Sequence, residues 1–266
     1  MPELPDVEIF NRLVLGQCCA RTIAQAVIRD HGILQGIPAD ALQARLKGEP
    51  IRSSARYGKH LFILLRAGAL TMHFGTNGSL RLVLRDGSEP PYTRLRLDFD
   101  DGDRLAYVNP RRLGGVGICD SVEQFVAQLG LGPDILDAAF DLKAFTAVLA
   151  ASKRDIKAVL MDQRVMAGLG NIYSDEVLFQ ARIHPDTAAG NIRGESAVRL
   201  FSAMHETLDT AIRCGAGAER SVERLPKDFL LPQRHRGGHC PRCSTALATA
   251  KHAGRTSYYC PRCQPN

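Results

Sequence analysis

Pro2 and Glu3 head a run, Pro2-Glu3-Leu4-Pro5-Asp6-Val7-Glu8, whose residue types can do covalent chemistry. A methionine before a small residue such as proline is commonly trimmed, and removal of Met1 would leave Pro2 with a free secondary amine. An α-amino group titrates near pH ~8, against ~10.4 for lysine, so much of it is uncharged near neutrality. Such an amine can attack a sugar C1′ and form a Schiff base, a strategy otherwise supplied by an activated lysine. Glu3 beside it can give or take a proton during the attack. The same residues also read as a plain helix start, because proline is welcome in a first turn.

At the other end, Cys240-Pro241-Arg242-Cys243 and Cys260-Pro261-Arg262-Cys263 are C-x-x-C knuckles with sixteen residues between them. Four thiolates suit tetrahedral zinc, and a hairpin through 246–259 would bring the knuckles together. Redox-active cysteines or iron compete, but each needs a different context. With no coordination position open, one Zn2+ is expected to hold the fold and not to catalyse. It would aim Lys251, His252 and Arg255 at a polyanion. Cys18, Cys19, Cys119 and Cys214 read as small buried or unreactive thiols.

Residues 229–266 contain no Asp or Glu, while Arg234, Arg236, Arg242, Lys251, Arg255 and Arg262 account for the whole net charge of +6. Such a segment suits a polyanion, with counterion release as the driving force, and a solvated basic tail is the plain alternative.

The elements that must position these ends follow from the pattern between them. At 266 residues and 45% hydrophobic, the chain can bury a real core, and with no tryptophan and 6% aromatics that core is mostly aliphatic. No apolar run reaches eighteen residues and no hydrophobic leader follows a basic start, so a cytoplasmic, nucleoid-associated protein of bacterial type is expected. A helix is expected near 5–14. Residues 21–120 read as strands: 61–65 as a buried run, 80–85 as a partly alternating one, and Thr93–Phe99 with Leu95, Leu97 and Phe99 inward. Asp86-Gly87 and Asp101-Gly102 mark turns. Helical spacing takes over at 141–151, 156–161, 172–181 and 196–214, the last with an apolar stripe of Ala197, Phe201, Met204, Leu208 and Ala211 or Ile212. Residues 215–239 lack periodicity and read as a linker or mobile loop. The fold class is α+β and multidomain. A β-sandwich or barrel with a leading helix is expected over 1–130, a helical domain and loop over 131–233, and a zinc-finger hairpin over 234–266.

Taken together, the chain resembles the formamidopyrimidine-DNA glycosylase and endonuclease VIII family of base-excision repair enzymes. The likeness is carried by the 2–8 run, Tyr57-Gly58-Lys59-His60-Leu61, and His73-Phe74-Gly75-Thr76-Asn77-Gly78-Ser79-Leu80-Arg81. Asn109-Pro110-Arg111-Arg112, Leu160-Met161-Asp162, Gly168-Leu169-Gly170-Asn171-Ile172-Tyr173 and the hairpin with Lys251-His252 and Arg255-Thr256 extend it. Leu4 places it nearer the formamidopyrimidine branch. The resemblance implies a β-sandwich, a helix–two-turn–helix domain and a zinc finger. It further implies a monomeric, bifunctional glycosylase and AP lyase acting on double-stranded DNA with a damaged base or abasic site, by β- or β/δ-elimination.

By the same resemblance Pro2 is the Schiff-base nucleophile and Glu3 the acid that helps open the sugar. Lys59 contacts phosphate and assists proton transfer, and Arg255 grips the phosphate beside the lesion. Asn171 and Lys157 bind the backbone around the extruded nucleotide, with the Gly168–170 turn offering N–H groups to phosphate. Tyr92 and Arg111 face DNA. Thr76 stands where the family commonly has methionine, and Leu113 where it has phenylalanine. Asp6, Asn109 and Tyr92 replace glutamate, aspartate and histidine, and residues 225–232 replace much of the lesion-capping pattern. These departures predict weaker discrimination for 8-oxoguanine than for lesions that unpair cheaply. They also leave open a weakly catalytic or non-catalytic damaged-DNA-binding paralogue. A zinc-ribbon protein of RNA or transcription would explain the cysteines, but not Pro2, Glu3 and Lys59.

Overall fold

Alternation in the first half of the chain becomes two antiparallel sheets in the computed structural model, which describes residues 2–218 and 221–266. Two compact units are present. One holds Pro2 with Val7–Gly130, the other Glu3–Asp6 with Leu131–Asn266.

In the first unit, strands β1 (Ile23–Ile28), β2 (Ser53–Tyr57), β3 (His60–Leu64), β4 (Ala69–His73), β5 (Ser79–Val83), β6 (Thr93–Phe99), β7 (Arg104–Val108) and β8 (Gly115–Cys119) form sheets of order β1-β6-β7-β5 and β2-β3-β4-β8. In β6, Thr93, Leu95, Leu97 and Phe99 are buried and the residues between them are half-buried, so the expected face points inward. Leu95, Leu97 and Leu105 of one sheet share a core with Leu61, Ile63, Leu70 and Met72 of the other. Helix α1 (Leu4–Gln17) takes Pro5 in its first turn, where no N–H is needed, and adds Val7, Phe10 and Val14 to that core.

Reading all of 21–120 as strands misses helix α2 (Ala39–Leu46), whose buried residues are Leu42 and Leu46. Two apolar residues four apart are too short a pattern to stand out, and tertiary packing stabilises so short a helix. Helix α3 (Val122–Leu129) closes the unit. The Ser121 side chain accepts the Gln124 N–H at its start, and Gly130 ends it at φ +60°, which favours glycine.

The second unit contains α4 (Leu142–Ala150), α5 (Ile156–Met161), α6 (Asn171–Ala181), α7 (Glu195–Arg213) and a hairpin of β9 (Ala248–His252) and β10 (Arg255–Tyr259). On α7 the buried stripe runs through Ala197, Leu200, Met204, Leu208, Ala211 and Ile212. Phe201, expected within it, is half-buried and rests against Phe145, ring centroids 5.6 Å apart. Helix α6 is buried nearly all round, so its acidic residues Asp175 and Glu176 must find partners inside.

Residues 215–239 are not the loose segment their composition suggested. Ala216, Ala218, Leu225, Phe229, Leu230 and Leu231 are buried, and the N–H groups of Leu230 and Leu231 donate to the Glu176 carboxylate at 3.1 and 2.8 Å. Short 3-10 turns let single apolar side chains drop inward without a period. Glu219 and Arg220 of this segment lie outside the described residues, as does Met1. Among the described residues, no helix is long and apolar enough to cross a membrane.

Glu176 makes stability pH-dependent. Burial pushes its carboxyl up to about 7, against the hydrogen bonds from Gln180 and from Leu230 and Leu231. The folded state therefore keeps a proton that the unfolded chain has lost, and stability falls as pH rises from the ordinary 4.5 through 7. Glu176→Gln is expected to flatten this fall by on the order of 3 kcal/mol in urea unfolding at pH 5 and pH 8. An unchanged slope in the variant would contradict the assignment.

Candidate active site

Glu3 is buried with its carboxylate at the start of α6. Its Oε2 accepts the Gly170 and Tyr173 N–H groups at 2.7 and 3.1 Å, and Oε1 accepts the Ile172 N–H at 2.9 Å. A helix start presents N–H groups without intrahelical partners at the positive end of the dipole, which suits an anion. The Gly168-Leu169-Gly170 turn was expected to offer these groups to phosphate. The anion that takes them is the chain's own carboxylate. Gly168 has φ +138°, and a Cβ there would meet Leu4 Cδ1 at 2.5 Å, so the bare turn lets the first residue of α1 approach.

Asp6 fixes the backbone of the same residue. Its carboxylate accepts the Glu3 N–H at 2.9 Å and the Ala218 N–H at 3.1 Å. Burial pushes the Asp6 carboxyl up to about 6, against the pull of both bonds. A Cβ on Gly217 would come within 1.8 Å of Asp6 Oδ1, so this contact requires glycine. Pro2, directly before Glu3, is buried.

Lys157 was expected against the DNA backbone, and the structure corrects that placement. Its ammonium is fully buried, pairs with Asp175, and donates to the Asn171 carbonyl at 3.2 Å. On the short helix α5, position 157 faces inward with Ile156, Val159 and Leu160. Asn171 is half-buried and its Nδ2 donates to the Thr256 carbonyl at 3.1 Å. Arg255, the residue before Thr256, is exposed beside the hairpin turn at Ala253 and Gly254. Lys251 is exposed too, with Nζ donating to Thr256 Oγ1 at 2.8 Å. His252 does not point outward as expected. Strand alternation turns it to the other face, where Nδ1 meets Ser257 Oγ at 2.6 Å and Nε2 meets the Asp186 carboxylate at 2.5 Å.

Within the first unit, Lys59 is half-buried in the two-residue turn joining β2 and β3, where Gly58 has φ +55°. Thr76, Arg111, Leu113 and Tyr92 sit on turns that Asn109 ties together. Asn109 is fully buried, donates through Nδ2 to the Phe74 carbonyl at 3.1 Å, and donates its N–H to the Tyr92 carbonyl at 3.0 Å. A Cβ on Gly75 would sit 2.1 Å from the Leu113 carbonyl, so the turns of Thr76 and Leu113 are neighbours. Leu113 and Tyr92 are each 58% exposed, an unusual state for such side chains, while Thr76 is half-buried and Arg111 exposed. His73 is structural, its Nε2 lying 2.9 Å from the Gln35 amide. Burial pushes the Cys18 thiol up to about 12 and the Cys119 thiol upward, so neither is a ready nucleophile.

The sulfurs of Cys240, Cys243, Cys260 and Cys263 converge, with Sγ–Sγ distances of 3.7 Å for 240–263 and 3.5 Å for 243–260 and 243–263. Tetrahedral Zn–S bonds of ~2.3 Å put sulfurs about 3.8 Å apart, so the quartet fits one structural zinc. Cys240 and Cys260 are buried in a small cluster with Phe179 and Leu230.

Sequence reading missed Asp175 and the anchoring role of Asp6. The signal for Asp175 was its place in an apolar run, where an acid has to be paired inside. Asp6 and Ala218 are too far apart in the chain for any local signal.

Comparison with known proteins follows the same order along the chain. Family models match as the formamidopyrimidine-DNA glycosylase N-terminal domain over residues 1–116, its H2TH domain over 131–223, and the zinc finger found in FPG and IleRS over 237–266. A formamidopyrimidine-DNA glycosylase of Pectobacterium carotovorum is 35% identical, covering 99% of this chain and 100% of that one. One from Bacillus cereus is 32% identical, covering 100% and 99%. Two crystal structures of the Lactococcus lactis Fpg resemble the chain at 29% identity. One is bound to DNA containing N7-benzyl-Fapy-dG, with TM-score 0.88 and 100% of both chains covered. The other is bound non-covalently to DNA with an AP site, with TM-score 0.87, 99% of this chain and 100% of that one covered.

Proposed function

We propose, since the chain belongs to the formamidopyrimidine-DNA glycosylase family, that it excises oxidised or ring-opened bases from double-stranded DNA and nicks the abasic strand. One observation supports this more than any other. Glu3 is fixed by three N–H donors at a helix start and by its own backbone through Asp6, directly after Pro2.

With Met1 removed, the Pro2 nitrogen attacks C1′ and the N-glycosidic bond breaks, its electron pair leaving with the base, which takes up a proton. The bound nitrogen sheds its own proton and its lone pair expels O4′, which takes up a proton as the sugar ring opens, and the iminium so formed acidifies C2′–H. Loss of that proton expels the 3′ phosphate by β-elimination, and a δ-elimination would follow at the 5′ side. Glu3 serves the proton transfers that open the sugar, Lys59 and Arg255 hold phosphate, and Asn171 fixes the backbone at the extruded nucleotide. Lys157, being buried, supports Asn171 from behind. Arg111, Tyr92, Leu113 and Thr76 face the duplex. The zinc supplies no step and shapes the hairpin that carries Arg255. In this reading residues 1–130 are the catalytic domain, 131–233 the helical DNA-binding domain with its loop, and 234–266 the finger. The protein works as a monomer in the cytoplasm, at the nucleoid.

Short, half-buried Thr76 is a poor filler of the hole left by a flipped nucleotide. Lesions that unstack cheaply are therefore preferred over 8-oxoguanine. The same residue favours the second reading, a weakly catalytic damaged-DNA-binding paralogue.

Borohydride reduction during turnover is expected to trap the protein on abasic and lesion-bearing duplexes, with Met1 removal verified by mass spectrometry and loss of the adduct in Pro2→Gly. Tight binding to damaged DNA without any adduct would replace the enzyme with the paralogue.

A further inference from the structure

We propose that Asp175 is a positioning residue that locks the phosphate-gripping turn of the zinc hairpin to the helix start holding Glu3. The inference rests on the roles given above to Arg255 and Asn171. Asp175 lies one turn after Asn171 on α6 and is buried to 1% exposure. Its Oδ1 pairs with Lys157 of α5. Its Oδ2 accepts Arg234 Nε at 2.7 Å and the Tyr258 N–H of β10 at 3.1 Å. Among the described residues the hairpin has two strands, so one edge of β10 has no strand partner, and Asp175 caps it at Tyr258.

The two cations carry the lock outward. Lys157 Nζ donates to the Asn171 carbonyl at 3.2 Å. Arg234 Nη2 donates to the Thr256 carbonyl at 3.1 Å, the same oxygen that receives Asn171 Nδ2 at 3.1 Å. Thr256 adjoins Arg255, and Asn171 lies between Gly170 and Ile172, whose N–H groups hold Glu3. One carboxylate therefore fixes both groups that would meet DNA phosphate and the backbone that orients the acid. One buried and one half-buried cation on a buried carboxylate are costly to desolvate, so the arrangement is a poor glue and a directional clamp. Burial pushes the Asp175 carboxyl up and the Lys157 amine down, against their mutual attraction.

A double-mutant cycle tests the coupling in zinc-loaded, full-length protein. Asp175→Asn and Arg255→Ala are each expected to lower single-turnover cleavage of abasic duplex by roughly 10–100-fold, the range that slight misplacement of a positioned group produces. Each should also lower the salt slope of duplex binding by about one phosphate contact. Because Asp175 acts in part through Arg255, the double variant is expected to lose clearly less than the product of the two single losses. Arg234→Met, which leaves one cation per carboxylate, provides a milder second cycle should Asp175→Asn not fold. Zinc content and thermal unfolding are measured on every variant. Multiplying losses in the double variant, with Arg255→Ala itself impaired, would overturn the lock and leave the phosphate grip standing. A silent Arg255→Ala would instead overturn the grip, and the lock with it.

Discussion

Glu3→Gln is expected to lower base excision by about 10²–10⁴-fold, the usual range for losing a positioned acid–base group. Glutamine keeps the length and one carbonyl oxygen, but no carboxylate. The present geometry uses both oxygens to accept three N–H groups, from Gly170, Ile172 and Tyr173. In the variant an NH2 group must face at least one of those donors, leaving a buried N–H unpaired at a cost of about 1–3 kcal/mol. The side chain should therefore swing, and chemistry and position fail together. Glu3→Asp separates the two, because it keeps the carboxylate and cannot span the same donors. Single-turnover excision of a ring-opened purine should fall steeply in both variants. Nicking at a preformed abasic site should fall less, since no base has to leave. Excision at the parental rate in Glu3→Gln would remove Glu3 from the mechanism.

The parts legible in the sequence were those whose signal is local. β6 alternates because one of its faces is buried, so Leu95, Leu97 and Phe99 could be assigned inward from seven residues. The zinc knuckles were legible because ligand spacing is itself the chemistry. The contacts that organise the site are remote instead: Glu3 reaches Tyr173 across 170 positions and Asp6 reaches Ala218 across 212. A glycine turn before a helix announces free N–H groups without saying which anion takes them. Phosphate was the natural reading, and Glu3 takes the place. Lys157 misled for a related reason, since a lysine reads as surface charge unless its buried carboxylate partner is visible. Residues 215–239 misled because Leu225, Phe229, Leu230 and Leu231 bury singly from short turns, with no period to detect.

Stripping the zinc, or replacing Cys240 by serine, is expected to abolish duplex binding and cleavage together while the helices survive. The hairpin has two strands of five residues each, too few to hold without help. Its inner packing is a small cluster of Phe179, Leu230 and the cysteines. Structural zinc contributes about 10–16 kcal/mol of binding free energy in isolated fingers, and that binding is folding. By contrast, among the described residues the large core of the helical region, from Leu4 through Leu231, contains no residue of the finger. Melting the hairpin releases Arg255 and also withdraws the Thr256 carbonyl from Asn171 and Arg234, so the damage reaches the helix start. Binding by fluorescence anisotropy should weaken by about 100-fold or more and lose at least one unit of salt slope. Far-ultraviolet circular dichroism should keep its helical signal, and restoring zinc to the stripped wild-type protein should restore activity. Full cleavage by protein shown free of zinc by elemental analysis would refute the structural role. Loss of the helical signal along with the metal would show that the finger supports the helical core as well as the DNA grip.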